Sequence, residues 1–358
     1  MIGVGQIGCG RIGMGHAYAL RLLAQDGSAR PVVAADPSAE AAAEIARICP
    51  FERTTTDPAA VIADPEVDAV LIASPTTTHP GLVRGALAAG KHVLCEKPLA
   101  TDFPTVRDLC ALAAAAAPVT QVGFHSRWHP IWLELRDLLG RGDLGAPMAY
   151  SLRDDQFWPT GDVVPGHSSW RSDRAQAGGG ALLEHSIHSA DLVTWVFGPV
   201  TRVYAQTRRR FGYDVEDVAV CTVEHASGVV GALTTVFNGV RGREERRFEV
   251  FCEHASVEAT SDFLVGAPED GLSVQRPDEP ADRADVAALR ERHFDAMGLP
   301  RRDFVVYLYP AARGWLGAIA QGRPASPGFA DALAAHALVE AAYRSAATGA
   351  PVELAALD

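Results

Sequence analysis

The chain has 358 residues and a formal net charge of −12, with 48% hydrophobic and 21% charged residues. This length predicts two domains with sizeable cores rather than one. The acidic balance argues against a nucleic-acid partner and against binding to an anionic membrane surface. Six scattered cysteines show neither CxxC nor zinc-ligand spacing, and no signal peptide is visible. We therefore expect reduced thiols, no metal and a cytoplasmic protein.

Apolar runs alternate with helical patterns over the first third of the chain. The predicted elements are strand 2–7, helix 12–25, strand 31–35, helix 39–48, strand 69–73, helix 80–89, strand 92–95, helix 102–115 and strand 119–122. This alternation is typical of a parallel sheet covered by helices on both faces. It predicts a doubly wound α/β domain over residues 1–122.

The pattern changes near residue 123, where strands begin to follow one another directly. The predicted elements are helix 131–139, strand 148–153, a helix around 178–191, strands 200–210, 218–224, 229–237, 248–253 and 257–260, and helices 304–320 and 331–346. This pattern predicts an α+β domain over residues 123–358 with a large open, mainly antiparallel sheet. We expect the charged stretch 241–247 to be a solvated turn or edge, and the exposed sheet face to join chains into a homodimer or homotetramer.

The first predicted strand runs into a glycine-rich stretch, GCGRIG, which opens a predicted helix. In a dinucleotide-binding loop, Gly8 would permit the tight turn, Gly10 would let a pyrophosphate approach the backbone, and Gly13 would let helix and strand pack closely. The motif is weak alone, but its position within a βαβ unit strengthens it. The candidate cofactor-binding residues here are Gly8, Gly10, Arg11, Ile12, Gly13 and Asp36.

Asp36 ends the second predicted strand, 23 residues after Gly13. Its carboxylate would accept hydrogen bonds from the adenosine ribose hydroxyls and would repel a 2′-phosphate. No Arg or Lys follows it directly, so we expect NAD rather than NADP. The alternative is that Asp36 only caps the helix that begins near Ser38.

Two further loops follow predicted strands, where a doubly wound sheet places its ligand crevice. SPTTTH offers small hydroxyl groups for a ribose or nicotinamide, or, alternatively, a helix N-cap at Thr78. In the next loop, Lys97 could stabilise a developing alkoxide, or could form only a surface pair with Glu96. The candidate cofactor-binding residues of these loops are Ser74, Pro75, Thr76, His79, Glu96 and Lys97.

The stretch GGGALLEHSIHSAD, residues 178–191, places three glycines before a helical pattern. The spacings of four and three residues predict Glu184, His188 and Asp191 on one helix face. That polar face must meet water, another domain or a ligand. For His188 alone, the alternative is a satisfied core histidine.

Taken together, these stretches resemble the glucose–fructose oxidoreductase, inositol dehydrogenase and MocA family of nicotinamide-dependent oxidoreductases. The matching segments are GCGRIGMGHA at 8–17, SPTTTHP at 74–80, AGKHVLCEKPLA at 89–100, WRSD at 170–173 with AGGGALLEHSIHSAD at 177–191, and AAYRSAATGAPVEL at 341–354. The resemblance implies an N-terminal Rossmann domain and a C-terminal domain for substrate binding and oligomerisation. It also implies that the glycines at 178–180 let the backbone pass close to the crevice.

The resemblance further implies reversible oxidation of a secondary alcohol of a sugar, cyclitol or related polyol. His188 matches the family's acid/base histidine, and Lys97 matches the lysine that contacts cofactor and substrate. Glu184 replaces the family's usual Asp, and Ser186 replaces a common Gly. Glu184 would then orient His188 or hold a neighbouring hydroxyl, and Asp191 would support His188 or the helix.

Other residues are candidates for substrate contact, with core packing or surface exposure as the alternative for each. They are Arg127, His129, Arg153, Asp155, Trp158, Trp170 and His185, beside Lys97, Glu184 and His188. Two rival functions remain at this stage. One is an NAD-dependent glycosidase that works by oxidation and elimination, and the other is a non-catalytic dinucleotide-binding sensor.

Overall fold

A computed structural model describes residues 1–157, 169–237, 245–261, 270–298 and 308–357. The chain divides into two compact units. Unit 1 comprises residues 1–125 and 302–333, and unit 2 comprises residues 126–301 and 334–358. The assignment of NAD binding to residues 1–122, and of substrate binding and oligomerisation to residues 123–358, stays a prediction.

Unit 1 is built on a six-stranded parallel sheet in the order β3-β2-β1-β4-β5-β6. Its strands are β1 (Ile2–Ile7), β2 (Ala29–Ala35), β3 (Arg53–Thr55), β4 (Ala69–Ile72), β5 (His92–Cys95) and β6 (Thr120–Val122). Its helices are α1 (Arg11–Gln25), α2 (Ala39–Ile48), α3 (Pro58–Ala63), α4 (His79–Ala88) and α5 (Phe103–Ala115). The doubly wound prediction is confirmed, although β3 and α3 were not predicted.

The apolar strands of unit 1 form its core because helices cover both faces of the sheet. Every residue of β4 is buried, and five of the six residues of β1 are buried. Side chains cap the neighbouring helices: Ser38 accepts a hydrogen bond from the Ala41 amide, and Asp102 accepts one from the Thr105 amide. These caps satisfy amides that have no partner inside a helix.

Unit 2 is built on a nine-stranded sheet in the order β14-β13-β12-β11-β7-β10-β9-β8-β15. Its strands are β7 (Pro147–Gln156), β8 (Val200–Arg208), β9 (Val218–His225), β10 (Val230–Phe237), β11 (Glu245–Cys252), β12 (Ser256–Ser261), β13 (Gly271–Gln275), β14 (Asp282–Arg283) and β15 (Val352–Glu353). Helices α6 (Pro130–Arg141), α7 (Arg174–Ala177), α8 (Ile187–Phe197) and α9 (Val286–Met297) accompany it. The mainly antiparallel prediction is confirmed, and β7 and β10 pair in parallel.

Two helices complete the chain. Helix α10 (Leu308–Ala320) belongs to unit 1 and packs on α1. Helix α11 (Phe329–Thr348) contains the point, after residue 333, where the chain passes from unit 1 to unit 2. Within the described ranges, no helix is long and apolar enough to cross a membrane.

Strand β7 alternates between the two faces of its sheet. Tyr150, Leu152 and Asp154 are buried, whereas Arg153 and Asp155 lie on the opposite face. Successive side chains of a strand point to opposite faces, so a one-residue step decides which groups reach the buried side. The charged side chain of β7 that lies next to the core is therefore that of Asp154. The sequence analysis had selected its neighbours, Arg153 and Asp155, for substrate contact.

The charged stretch 241–247 was expected to be a solvated turn or edge, and for its described part this expectation is wrong. Residues 245–247 lie in β11, which pairs with β7 on one side and β12 on the other. Arg246 is buried because its guanidinium binds Asp154 across the strand pair. Residues 241–244 lie outside the described residues.

Candidate active site

The glycine loop of unit 1 is packed tightly at two of its three glycines. Gly8 has a φ of +100°, and a Cβ there would lie 2.5 Å from the Ala73 carbonyl group. A Cβ on Gly13 would lie 2.3 Å from the Gly8 carbonyl oxygen. A Cβ on Gly10, in contrast, would meet no described atom within 4 Å. The open space at Gly10, at the N-terminus of α1, fits a pyrophosphate held by backbone amides.

Side chains from β1 and β2 hold this loop in place. The Gln6 amide donates hydrogen bonds to the carbonyls of Gly8 and Gly13, at 3.0 and 2.9 Å. The Asp36 carboxylate accepts from the amides of Cys9 and Ser38, each at 2.9 Å. Ser38, not Asp36, caps α2. Asp36 therefore does more than cap a helix, because it joins the end of β2 to the glycine loop.

The loop after β4 is closed by its own hydroxyl groups. Thr78 donates to the Pro75 carbonyl at 2.7 Å, and Ser74 then donates to the Thr78 hydroxyl at 2.6 Å. Thr76 is buried, whereas Pro75 is exposed. Thr78 occupies the N-cap position of α4, as the alternative predicted, but its side chain makes no capping bond to the helix.

His79 connects this loop to the loop after β5. Its ring nitrogens lie 2.9 Å from the Ser74 carbonyl oxygen and 2.8 Å from that of Pro98. Burial lowers the pKa of His79 below its ordinary value, although both carbonyls oppose the change. The buried imidazole of His79 thus lies between two loops that both carry predicted cofactor-binding residues.

Glu96 is buried beside Lys97 rather than placed on the surface. Its carboxylate lies 2.7 Å from His16 Nε2 and accepts the Lys97 amide at 3.2 Å. Burial opposes its ionisation, but the hydrogen bond and charge of His16 outweigh burial and lower the pKa of Glu96. A Cβ on Gly123 would lie 2.7 Å from this carboxylate. The alternative of a surface pair between Lys97 and Glu96 is therefore wrong. Lys97 is half-buried, and the hydrogen bond from its amide to the Glu96 carboxylate fixes its backbone.

In unit 2, the stretch expected to be a regular amphipathic helix begins with a π turn. The π turn covers Ala181–His185, with the Ser186 amide bonded to the Ala181 carbonyl at 2.9 Å. An α-helix follows from Ile187. Such turns are rare and occur often at functional sites. The expected regular helix is wrong for residues 181–185, so Glu184 lies in the π turn and His188 in α8.

Two of the three glycines before this turn serve packing inside unit 2. A Cβ on Gly179 would lie 2.1 Å from the Tyr343 hydroxyl, and a Cβ on Gly180 would lie 1.8 Å from the Glu216 carbonyl oxygen. The Glu216 carboxylate accepts from the amides of Gly180 and Leu182, each at 2.9 Å. Glu216 thereby caps the π turn, although it lies more than 30 residues away in sequence, just before β9. Gly179 and Gly180 are explained by this close approach, whereas Gly178 has a φ of +80° at the end of α7.

Each polar side chain of the π turn and α8 has its own environment. Glu184 accepts from Arg171 Nε at 2.8 Å, and Asp191 binds Arg127 through two hydrogen bonds of 2.8 and 2.5 Å. His188 has no exposed surface. The two carboxylates are thus paired with different arginines.

The remaining predicted substrate contacts are dispersed over unit 2. Arg153 binds Asp155 and Glu245 on the sheet face opposite to Asp154, so it is not brought to the π turn. Trp170 lies under the Arg171 guanidinium at 4.5 Å from its ring centroid. His129 caps α6 and contacts the Ser261 hydroxyl at 2.6 Å. Trp158 lies outside the described residues.

His185 belongs to a buried network that sequence analysis missed. Its Nε2 lies 2.9 Å from Asp154 Oδ1, and Asp154 also binds Arg246. The alternation of Tyr150, Leu152 and Asp154 was the sequence signal for an inward-facing acid. Arg171 and Glu216 were missed as well, and no local pattern in the sequence indicates their partners.

Comparisons with known proteins agree with this architecture. Residues 2–124 match a family model described as the oxidoreductase family, NAD-binding Rossmann fold, and residues 132–258 match the GFO/IDH/MocA C-terminal domain. Inositol 2-dehydrogenase 2 of Saccharopolyspora erythraea is 31% identical over 365 residues, covering 98% of this chain and 96% of that protein. The expected NAD-binding Rossmann fold is confirmed.

Two other similar proteins carry related names. The scyllo-inositol 2-dehydrogenase (NAD(+)) of Bacillus subtilis is 30% identical over 234 residues, covering 63% of this chain and 64% of that protein. A solved levoglucosan dehydrogenase, in complex with NADH and levoglucosan, is 25% identical with a TM-score of 0.85 and covers 99% of both chains.

Proposed function

Since the chain belongs to the GFO/IDH/MocA family of oxidoreductases, we propose that it is an NAD-dependent dehydrogenase acting on a cyclic polyol. It oxidises a secondary alcohol of a sugar or cyclitol, or reduces the corresponding ketone. The observation that carries this proposal is the glycine loop, closed at Gly8 and Gly13 and open at Gly10. The substrate class rests on the names of the similar dehydrogenases, which act on inositols and levoglucosan.

NAD, when bound, supplies the hydride acceptor of the reaction. His188 takes the proton of the substrate hydroxyl, since histidine is the side chain that most often serves as a general base. Lys97 supplies the positive charge that stabilises the developing alkoxide. These two roles are proposals for residues on α8 and after β5.

Glu184 orients His188 or holds a neighbouring substrate hydroxyl. Its hydrogen bond with Arg171 at 2.8 Å supports an ionised carboxylate in a buried place. Trp170, under the same guanidinium, offers a flat surface on which a sugar ring can stack. Arg127, paired with Asp191, supports α8, and its direct contact with substrate stays a prediction.

NAD rather than NADP is the proposed cofactor. Asp36 lies at the end of β2 and already bonds the Cys9 amide in the glycine loop. A carboxylate accepts further hydrogen bonds from ribose hydroxyls, because its two oxygens offer about four lone-pair sites. The same charge repels a 2′-phosphate.

We also propose that the outer face of the unit 2 sheet joins identical chains into a dimer or tetramer. Four large apolar side chains on this face are 38–47% exposed: Tyr204, Val220, Val230 and Phe251. Apolar side chains spread over one sheet face support an association surface. Sedimentation equilibrium tests this, with a monomer at micromolar concentration as the contradicting result.

The experiment for the function is a panel of cyclitols, aldoses, amino sugars and anhydrosugars, each offered with NAD and with NADP. We expect NADH absorbance to rise with at least one cyclic polyol. Cleavage of a glycoside without net NADH formation would instead support the oxidation–elimination alternative. NAD binding without turnover of any panel member would support the sensor alternative.

A further inference from the structure

Asp154 is a buried acid near the end of β7, with 1% of its surface exposed. Its carboxylate accepts hydrogen bonds from four side chains. They are His185 at 2.9 Å on Oδ1, and Ser186 at 2.9 Å, Ser189 at 2.5 Å and Arg246 at 3.1 Å on Oδ2. Both oxygens are therefore used, and every partner is a donor.

This acid is ionised in the folded protein. Burial opposes ionisation, but the charges of Arg246 and His185 and the surrounding hydrogen bonds outweigh burial and hold the pKa of Asp154 well below its usual range. The hydrogen bond between His185 and the ionised Asp154 also requires that His185 carry a proton on Nε2. The network is thus fully satisfied only when Asp154 is a carboxylate.

Three of the four donors come from the junction between the π turn and α8. His185 ends the π turn, Ser186 connects it to α8, and Ser189 lies in the first turn of α8. Ser186 also lies 2.6 Å from the Thr235 hydroxyl of β10, so the junction is tied to two adjacent strands. His188 lies between the anchored positions Ser186 and Ser189.

A π turn has poor intrinsic stability, so contacts outside the turn must select it. The Glu216 carboxylate fixes its beginning through the amides of Gly180 and Leu182. Asp154 fixes its end through side chains. A catalytic group must be held within a fraction of an ångström of its working position, which such an anchor supplies.

We propose that Asp154 is a positioning residue that anchors the junction 185–189 to the sheet and thereby sets the orientation of His188. The catalytic part of this inference rests on the proposed function, whereas the anchoring part does not. Asp154 itself touches neither substrate nor cofactor in this account.

The decisive variant is Asp154→Asn, which keeps the shape of the side chain and removes its charge. If the new NH₂ group faces His185, the imidazole must change tautomer so that Nε2 accepts instead of donating; if it faces the other side, it meets the Arg246 guanidinium, which can only donate. The matched control is Glu134→Gln, because Glu134 is also a buried acid of unit 2, on α6, with Arg141 and Arg292 as partners.

Hydrogen–deuterium exchange without cofactor tests the anchoring directly. In Asp154→Asn we expect the amides of 185–190 to exchange about tenfold or more faster than in the parent protein, since each lost bond to a charged group weakens local structure. In Glu134→Gln we expect faster exchange in α6 and unchanged exchange in 185–190. Unchanged exchange of 185–190 in Asp154→Asn would overturn the anchoring.

Kinetics with the active polyol of the panel test the consequence for catalysis. We expect kcat of Asp154→Asn to fall on the order of a hundredfold, because a misplacement of about 1 Å costs that much. The Kd for NADH, measured by fluorescence, should stay within about twofold, since the cofactor loop in unit 1 is intact. Equal losses of kcat in Asp154→Asn and Glu134→Gln would mean a general loss of stability and would overturn the positioning role.

Ser189→Ala provides a milder variant in case Asp154→Asn does not fold. It removes one donor to Asp154 and leaves the charge, so kcat should fall about tenfold with NADH binding unchanged. Parent-like kcat in this variant, with parent-like exchange, would contradict the proposal. If no polyol is turned over while exchange of 185–190 rises as expected, the anchoring is supported and the proposed function alone fails.

Discussion

The glycine loop of unit 1 and the π turn of unit 2 both present candidate site residues, but different forces hold them. In the loop, the main constraints are steric, because Gly8 and Gly13 have no room for a Cβ. In the π turn, the main constraints are buried carboxylates, Asp154 and Glu216, which accept hydrogen bonds from several groups at once.

Gln6 also differs from Asp154 and Glu216 in how far it lies in sequence from the groups that it binds. Gln6 lies two and seven residues from the carbonyls that it binds in the loop. Asp154 and Glu216 lie more than 30 residues from the π-turn groups that they bind. The loop should therefore respond mainly to added volume, whereas the π turn should respond to removed charge as well as to added volume, because Gly179 and Gly180 also have no room for a Cβ.

The largest effect should come from adding volume to the loop. Gly13→Ala places a methyl group 2.3 Å from the Gly8 carbonyl oxygen. We expect a loss of about 3 kcal/mol in the free energy of unfolding and no measurable NADH binding. Thermal melting without cofactor and fluorescence titration with NADH would measure the two losses.

Gly10→Ala is the control for this prediction, since its methyl group meets no described atom within 4 Å. It should melt like the parent protein and still bind NADH at least tenfold more weakly, because the methyl group occupies the phosphate's approach. Parent-like NADH affinity in Gly10→Ala would count against the cofactor site.

The next effect concerns the cap of the π turn. Glu216→Gln weakens the bonds to the Gly180 and Leu182 amides, and we expect a loss of about 2 kcal/mol in the free energy of unfolding. Tyr343→Phe, which removes one hydroxyl donor to the same carboxylate, should cost about 1 kcal/mol. Denaturant unfolding monitored by the tryptophans measures both, and an equal cost for the two variants would contradict the capping role.

A smaller effect concerns cofactor choice. Asp36→Ser removes the charge beside the glycine loop and keeps a short polar side chain. We expect the ratio of NAD to NADP efficiency, as kcat/KM, to fall about tenfold or more, because the repulsion of the 2′-phosphate disappears. Glu52→Gln, an exposed change in the same unit, should leave the ratio unchanged. A constant ratio in Asp36→Ser would refute the discrimination by this carboxylate.

The smallest effect concerns pH and the buried His129 in unit 2. Burial, with the charges of Arg246 and His293, lowers the pKa of His129 from 6.5 to about 3. The pKa of His129 is lower in the folded protein than in the unfolded chain. Its contribution to the free energy of unfolding is therefore complete above about pH 6.5 and is lost progressively as pH falls towards 3.

His129→Asn keeps an acceptor for the Ile131 amide and removes this titration. The stability difference between parent and variant should therefore shrink by about 1 kcal/mol between pH 7 and pH 5.5. Denaturant midpoints at the two pH values measure this. A difference that stays constant or widens at the lower pH would contradict it.

Local features of the fold were predictable from sequence, and long-range ones were not. The strands β1 and β5 have the predicted bounds, because apolar runs and turn residues mark them. The short β3 and α3 were missed, since three and six residues give little periodicity. The parallel pairing of β7 with β10 was missed because no local pattern records which distant strands pair.

The candidate site residues likewise include some that local sequence predicts and some that depend on distant partners. Asp36 and the glycines follow from motif spacing within one βαβ unit. Sequence analysis selected Arg153 and Asp155 rather than Asp154, an error of one residue that moves a side chain to the other face of the strand. The π turn was missed because distant carboxylates, rather than its own residues, select it.

The most direct test of the central claim, that His188 accepts the substrate proton, is the pH dependence of kcat/KM for His188→Asn with NAD and the active polyol. We expect the parent enzyme to gain activity with rising pH through one ionisation. The variant should be slower by at least about a hundredfold and should lose that ionisation. A variant that keeps the parent's rate and its pH profile would contradict the claim.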